Sequence, residues 1–257
     1  MIGSSGYSKT PQHNFQNGNA VSNEILLALP VEERAALLPK LTPVDLTLNV
    51  LLQEAGQPIE FCYFPNTGMV SILALMDDGK SIEVGLAGKE GFVGMPLVAG
   101  FQTSGNRAVV QADGTAFRIG RQDFSSTLEH CPELNRSLSR YGQKTAFQLS
   151  QIAACNRLHE IEPRLARWLL MTQDRVGSDK LPLTHDFLSQ MLGVNRSTVS
   201  TTAAILQIAE LIEYRRGKVS ILNRRGLEKV SCECYQTMRD RLQAWDGEFS
   251  TLRTDLL

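Results

Sequence analysis

Forty residues, Leu183 to Leu222, constrain this chain more than any other stretch. They read LTHDFLSQMLGVNRSTVSTTAAILQIAELIEYRRGKVSIL. Thr184 stands where an N-cap belongs, ahead of a short helix with Phe187, Leu188, Met191 and Leu192 on its apolar face. Gly193 supplies a tight turn, since glycine takes positive φ without steric cost. Asn195 is expected to cap a second helix that buries Val199, Ala203, Leu206 and Ile208 and leaves Arg196, Ser197, Ser200 and Thr201 polar. Leu211–Tyr214 and Val219–Leu222, joined by Arg215-Arg216-Gly217-Lys218, read as a β-hairpin wing. A short helix, a glycine turn, a second helix with a polar N-terminal half and a basic hairpin make a winged helix-turn-helix.

Charge follows the same division. Residues 156–229 hold 12 Lys/Arg against 8 Asp/Glu, whereas the whole chain has a net charge of −1. A basic excess over the helix-turn-helix suits contact with phosphates. In a docked recognition helix the first turn faces base edges, so Asn195, Arg196, Ser197 and Thr201 are the expected readers of the major groove. Arg196 can donate to guanine O6 and N7 together. Thr184, Thr198 and Ser200 suit phosphate or base contacts, and Arg215, Arg216 and Lys218 at the wing tip suit phosphates.

Residues 1–21, rich in Gly, Ser, Asn and Gln, read as a disordered tail. Residues 22–50 alternate short helical signals with proline breaks. Ser22 or Asn23 can cap the first, and Pro43 sits at the start of a third. From Leu51 the period shortens. Runs at Phe61–Phe64, Met69–Met76, Ile82–Leu86, Ala108–Gln111 and Thr115–Ile119 recur about every ten residues, punctuated by turn signals of which Asp78-Gly79 is the strongest. This spacing predicts a compact antiparallel roll or barrel, with Gly91–Gly100 as a small helical or loop insertion.

After Asp123 the helical period returns. Leu134, Leu138, Tyr141, Thr145, Leu149 and Ile152 follow steps of about four and three, the seam of a helix packing on a parallel partner. The alternative is a long surface helix lying on the barrel. A further helix begins at Glu162-Pro163, and the last runs from about Arg225 to Trp245, capped by Asn223. Domain boundaries follow: a tail at 1–21, a sensor domain at 22–124, a dimerisation helix at 125–156, the winged helix-turn-helix at 157–235, and the helix end and tail at 236–257.

Enzymatic chemistry finds little support. The chain has no phosphate-loop lysine, no nucleophile elbow and no Cys/His quartet at zinc spacing. Cys155, His159 and Glu162 share a face at helical spacing, but Pro163 interrupts it and Arg157 and Arg164 flank it, which favours a structural role. Cys232 and Cys234, read on one helix, would point to different faces. No catalytic residue, metal site or cofactor is therefore expected. The five cysteines, odd in number and scattered, fit free thiols in a reducing cytoplasm. The N-terminus has no apolar core of a secretory signal, and no run of eighteen apolar residues suggests a membrane span.

The order of parts resembles the Crp/Fnr family of bacterial transcription regulators over about residues 24–235. Gly193-Val-x-Arg196-x-Thr198-Val199-Ser200 is similar to the family's turn and recognition helix, and Glu162-x-Arg164-x-Ala166-x-Trp168-Leu169-Leu170 to its inter-domain helix. Gly56–Pro58, Tyr63-Phe64, Gly68-x-Val70 and Glu90-Gly-Phe-Val-Gly94 are similar to the cyclic-nucleotide-binding barrel. The resemblance implies an α+β fold: an N-terminal antiparallel β-roll or barrel, a long central dimerisation helix and a C-terminal winged helix-turn-helix. It implies a cytoplasmic homodimer on a palindromic DNA operator, with RNA polymerase as partner, an effector of unknown identity, and no membrane. The alternative is a small-molecule sensor acting through protein contacts with a vestigial DNA-binding domain.

Two departures stand out. Cyclic AMP-binding members carry a glutamate after the Gly94 position and an arginine about ten residues on. Here Met95 takes the first place, and Asn106 the second, with Arg107 displaced by one. Gly94, Met95, Asn106 and Arg107 thus outline an effector pocket without the two charge-assisted contacts such a ligand needs. In the recognition helix, an acidic residue and a second arginine of the family are replaced by Ser197 and Thr201.

Overall fold

Asn66 receives the chain as it enters the described part of the molecule: its Oδ1 accepts from the amides of Ser22 and Asn23. The computed structural model describes residues 20–254, so nearly all of the tail expected at 1–21 lies outside the described residues, although Val21 is already buried. Asn23, fully buried, caps helix α1 (Glu24–Ala28) by accepting from the Leu26 amide and donates to the carbonyls of Pro65 and Gly91. Helix α2 (Val31–Leu37) and a turn of 3-10 helix follow.

The segment at Pro43, expected to be helical, is instead strand β1 (Thr42–Leu46). It pairs antiparallel with β7 (Gly114–Gly120), which pairs in turn with β3 (Phe61–Pro65). The proline fits because β1 is an edge strand. The second sheet runs β2-β6-β4-β5, from β2 (Leu51–Gln53), β4 (Met69–Leu75), β5 (Ser81–Ala87) and β6 (Arg107–Ala112). The Asp78-Gly79 turn joins β4 to β5 as expected, and α3 (Met95–Val98) fills the insertion.

Period-two alternation divides the sensor core. Tyr63 and Ala116 face the space between the sheets with Val70, Ala87, Val93 and Val110, while Cys62, Phe64, Phe117 and Ile119 face a helical layer. Phe92 stacks on Phe124 in that layer, with ring centroids 5.2 Å apart.

The central helix is not continuous from 125 to 156. It splits into α4 (Arg121–His130) and α5 (Pro132–Leu158), hinged at Cys131 with φ −122° and ψ 78°. Proline denies helical geometry to the residue before it, which places the break. The Glu33 carboxylate caps the new start, accepting from the Glu133 and Leu134 amides at 2.9 Å each.

The seam on α5 also needs correction as a dimer interface. Leu134 and Leu138 have no exposed surface within the single chain, being packed in the sensor's helical layer. Tyr141 fills the space above Gly91, Leu149 lies over Gly85, and Ile152 packs on the core of the C-terminal domain. Thr145 is half-buried. Helical periodicity marks an apolar face but not which surface covers it, and here the chain's own N- and C-terminal domains cover Leu134, Leu138 and part of Ile152.

The C-terminal half is built on α6 (Ile161–Val176), whose residues Leu165, Ala166, Leu169 and Leu170 are fully buried. Around it pack α7 (His185–Leu192), α8 (Arg196–Ile208), and a sheet ordered β8-β10-β9 from β8 (Lys180–Leu181), β9 (Ile212–Arg215) and β10 (Lys218–Ile221). The last helix is in fact two, α9 (Arg224–Val230) and α10 (Cys234–Thr254), and the second extends well past Trp245. Among the described residues no helix is long and apolar enough to cross a membrane.

Candidate nucleic-acid interface

Thr184 caps α7, its hydroxyl accepting from the Phe187 amide at 3.1 Å. Gly193 ends the helix at φ +65°, and a Cβ there would lie 2.8 Å from Ile82 of the sensor. The glycine thus serves both the turn and a close approach to β5. Asn195 holds the cap position of α8 with extended geometry, but its side chain makes no cap hydrogen bond. On α8, Val199, Thr202, Ala203 and Leu206 are buried. Ile208, expected in the core, is 83% exposed, because 100° per residue turns position 208 away from the 199/203/206 face.

The outer face carries the expected base readers. Asn195, Arg196, Ser197, Ser200 and Thr201 are all exposed, and Thr198 is half-buried with its carbonyl accepting from the Thr202 hydroxyl. Arg196 rests against Asp186, Nε to carboxylate 3.4 Å, with both side chains about two-thirds exposed. A pair so exposed is worth ~0–1 kcal/mol and yields readily to a base edge.

The wing turns at Arg216 (φ 49°) and Gly217 (φ 75°), both left-handed, so that Arg215 pairs with Lys218 across a two-residue hairpin. Arg215, Arg216 and Lys218 are exposed. The turn lies beside Thr184, whose methyl is 3.4 Å from where a Gly217 Cβ would sit. The His185 ring stacks on Tyr214 with centroids 4.0 Å apart, tying wing to helix. Thr184, the α8 N-terminus and the wing tip are therefore held by one packed core, a shape that fits a major groove and its flanking phosphates.

The sensor residues are arranged differently. Gly94 takes φ +128° against Cys62, where a Cβ would stand 2.6 Å from the sulfur, and Met95 opens α3. Ser104, buried, donates to the Asn106 carbonyl at 2.7 Å and fixes the loop. Arg107 is engaged by Glu54 through two hydrogen bonds, Nε–Oε1 at 3.0 Å and Nη2–Oε2 at 2.7 Å. That arginine holds the Glu54 carboxyl below its ordinary range. Its charge is answered within the protein, a fact sequence spacing did not reveal. A cavity of about 460 Å³ lies elsewhere, lined by Glu24, Arg140, Tyr141, Lys144 and Asp246 among others, and includes none of the four expected pocket residues.

The N-terminal and C-terminal domains meet at a buried carboxyl. Glu83 on β5 accepts from Ser71 at 2.7 Å and from the Trp168 indole of α6 at 2.8 Å. Burial pushes its pKa up to about 7, against the pull of those two donors and of Arg175 and Arg167. Gln190 of α7 bonds Ser81 beside it.

The cysteines also group differently than expected. Cys232 and Glu233 lie in the link between α9 and α10, not within one helix, so the opposite-face argument does not apply. Cys155, His159, Cys232 and Cys234 converge, and Glu162 is not among them.

Residues 163–230 match the Crp-like helix-turn-helix domain, and residues 45–131 the cyclic nucleotide-binding domain. Comparison with curated protein sequences returned no match. Among solved structures, the chain is similar to the c-di-GMP responsive global regulator CLP of Xanthomonas campestris (17% identity, 75% of this chain and 99% of that one, TM-score 0.63). It is similar to FixK2 of Bradyrhizobium japonicum (15% identity, 75% and 98%, TM-score 0.62) and to a CooA mutant from Carboxydothermus hydrogenoformans (16% identity, 82% and 96%, TM-score 0.59). Likeness at such identity establishes a shared fold. A cyclic nucleotide-binding domain followed by a Crp-like helix-turn-helix domain, on this shared fold, gives the chain the architecture of a Crp/Fnr-type transcription regulator.

Proposed function

We propose that this regulator binds a palindromic DNA operator as a homodimer in the cytoplasm, acting by binding and not by catalysis, with RNA polymerase as its downstream partner. The observation that carries the reading is the exposed polar face of α8 beside an exposed basic wing tip, both fixed on one core. Arg196, supported by Asn195, Ser197 and Thr201, reads base edges. Thr184, Thr198 and Ser200 contact the backbone or adjacent bases, and Arg215, Arg216 and Lys218 neutralise phosphates. Two-fold symmetry sets the half-sites about one helical turn apart.

The dimer pairs through the outward face of α5, where Ser139, Gln143, Ala146, Ser150 and Ala153 are exposed at steps of four and three. The sensor does not answer to cyclic AMP: Met95 offers no acceptor for a ribose hydroxyl, and Glu54 already engages Arg107. Selection from random DNA at physiological salt tests the proposal. A palindromic sequence enriched over competitor, bound by the wild type and lost in Arg196→Ala, is the expected result. No enrichment refutes it. Adding cyclic AMP should leave affinity and melting temperature unchanged.

A further inference from the structure

The end of α5 and the α9–α10 link, 77 residues apart in sequence, bring four metal-ligating side chains together. One ligand atom from each of Cys155, His159, Cys232 and Cys234 lies within 4.8 Å of all the others. Cys155 Sγ stands 3.5 Å from Cys232 Sγ, and Cys234 Sγ stands 3.5 Å from His159 Nδ1. Sulfurs bound tetrahedrally to one zinc ion at about 2.3 Å stand about 3.8 Å apart, and a histidine nitrogen slightly closer. The quartet therefore has the dimensions of a mononuclear site. An iron–sulfur cluster spreads its thiolates over several irons and needs them farther apart.

We propose that Cys155, His159, Cys232 and Cys234 bind one zinc ion in a closed tetrahedral site that clasps the end of the central helix to the DNA-binding domain. The surroundings fit such an ion. His159 Nδ1 faces the thiols, and Nε2 lies 3.1 Å from Glu233 Oε1. A carboxylate behind a ligating imidazole fixes its tautomer and strengthens it as a donor. Gln151 Nε2 donates to Cys234 Sγ at 3.2 Å, as a thiolate acceptor would require.

Positive charge offsets the complex as well. Three thiolates and Zn²⁺ sum to −1, and the buried guanidiniums of Arg164 and Arg167 act on the cysteines. Arg164, which looks hostile to a bare cation, thus helps to compensate an anionic complex. All four ligands come from the protein and the three cysteines are buried, the pattern of a structural zinc and not a catalytic one. The site joins α5 to the link that follows the wing, so the ion holds the recognition unit at a fixed angle to the central helix.

The test uses the full chain purified under reducing, chelator-free conditions. Elemental analysis should find one zinc per chain, and Co²⁺ in its place should give thiolate-to-metal charge-transfer and tetrahedral d–d bands. Cys155→Ser/Cys232→Ser should lose both. Glu233→Ala changes an exposed side chain, so the fold stays intact while zinc affinity falls about 10–100-fold. The proposal is overturned if reduced wild-type protein takes up no stoichiometric Zn²⁺ on titration. It is equally overturned if the double cysteine variant retains the metal, if Glu233→Ala binds it unchanged, or if Cys155 and Cys232 are joined as a disulfide in protein prepared without oxidant.

Discussion

Replacing Glu83 with glutamine should make this protein's stability less sensitive to pH. The Glu83 carboxyl has an ordinary value of 4.5 and sits at about 7 in the folded chain, because burial penalises its charged form more than Ser71 and Trp168 stabilise it. The unfolded chain loses this proton near pH 4.5 while the native chain keeps it to about pH 7. Between those values the native state binds more protons, so stability is fully present below 4.5 and declines as pH rises through 7. At about 1.4 kcal/mol per unit, the loss is ~3 kcal/mol. A glutamine amide keeps the shape, can still accept from the Trp168 indole and donate to Ser71, and does not titrate. Urea unfolding followed by tryptophan fluorescence at pH 5 and pH 8 measures the effect, with Trp168 itself a reporter. Wild type should lose ~2–3 kcal/mol relative to Glu83→Gln over that range, part of the full effect having already occurred by pH 5. Parallel behaviour of the two proteins would show that the carboxyl is not perturbed as argued.

Arg196→Ala should cost ~1–3 kcal/mol at one base position and relax specificity there, seen in competition with single-base operator variants. The fold should not change, because the side chain is 68% exposed. Removing Arg215, Arg216 and Lys218 together should weaken binding to all sequences alike and flatten the plot of log affinity against log salt by about 0.9 for each phosphate that is no longer neutralised. Leu138→Ala should destabilise the chain by ~2–5 kcal/mol without altering the sedimenting mass, since Leu138 is buried within its own chain. Ala146→Glu, on the outward face of α5, should instead yield monomers. The opposite pattern would show that the dimer face is misassigned.

Local sequence is a good guide wherever structure follows from near neighbours. Thr184, Gly193 and the Arg216-Gly217 turn are set by capping and left-handed geometry, so the helix-turn-helix and wing are legible to within a residue or two. The sensor strands are legible from turn punctuation, but β1 and β2 are not, because a proline start and a three-residue strand carry little pattern. The break at Cys131 is written in Pro132, although the apolar period beyond it favours one unbroken helix.

Local pattern alone therefore determined most of the elements, their order and the polar face of α8, because φ/ψ preference and amphipathic period act over a few residues. Tertiary structure alone decided what covers each face. It turned the Leu134–Leu138 seam onto the chain's own barrel and engaged Arg107 with Glu54. It buried Glu83 against Trp168 and brought Cys155 and His159 to Cys232 and Cys234. Each of these joins residues 53 to 85 positions apart or sets one layer on another, and no local preference encodes a meeting at that distance.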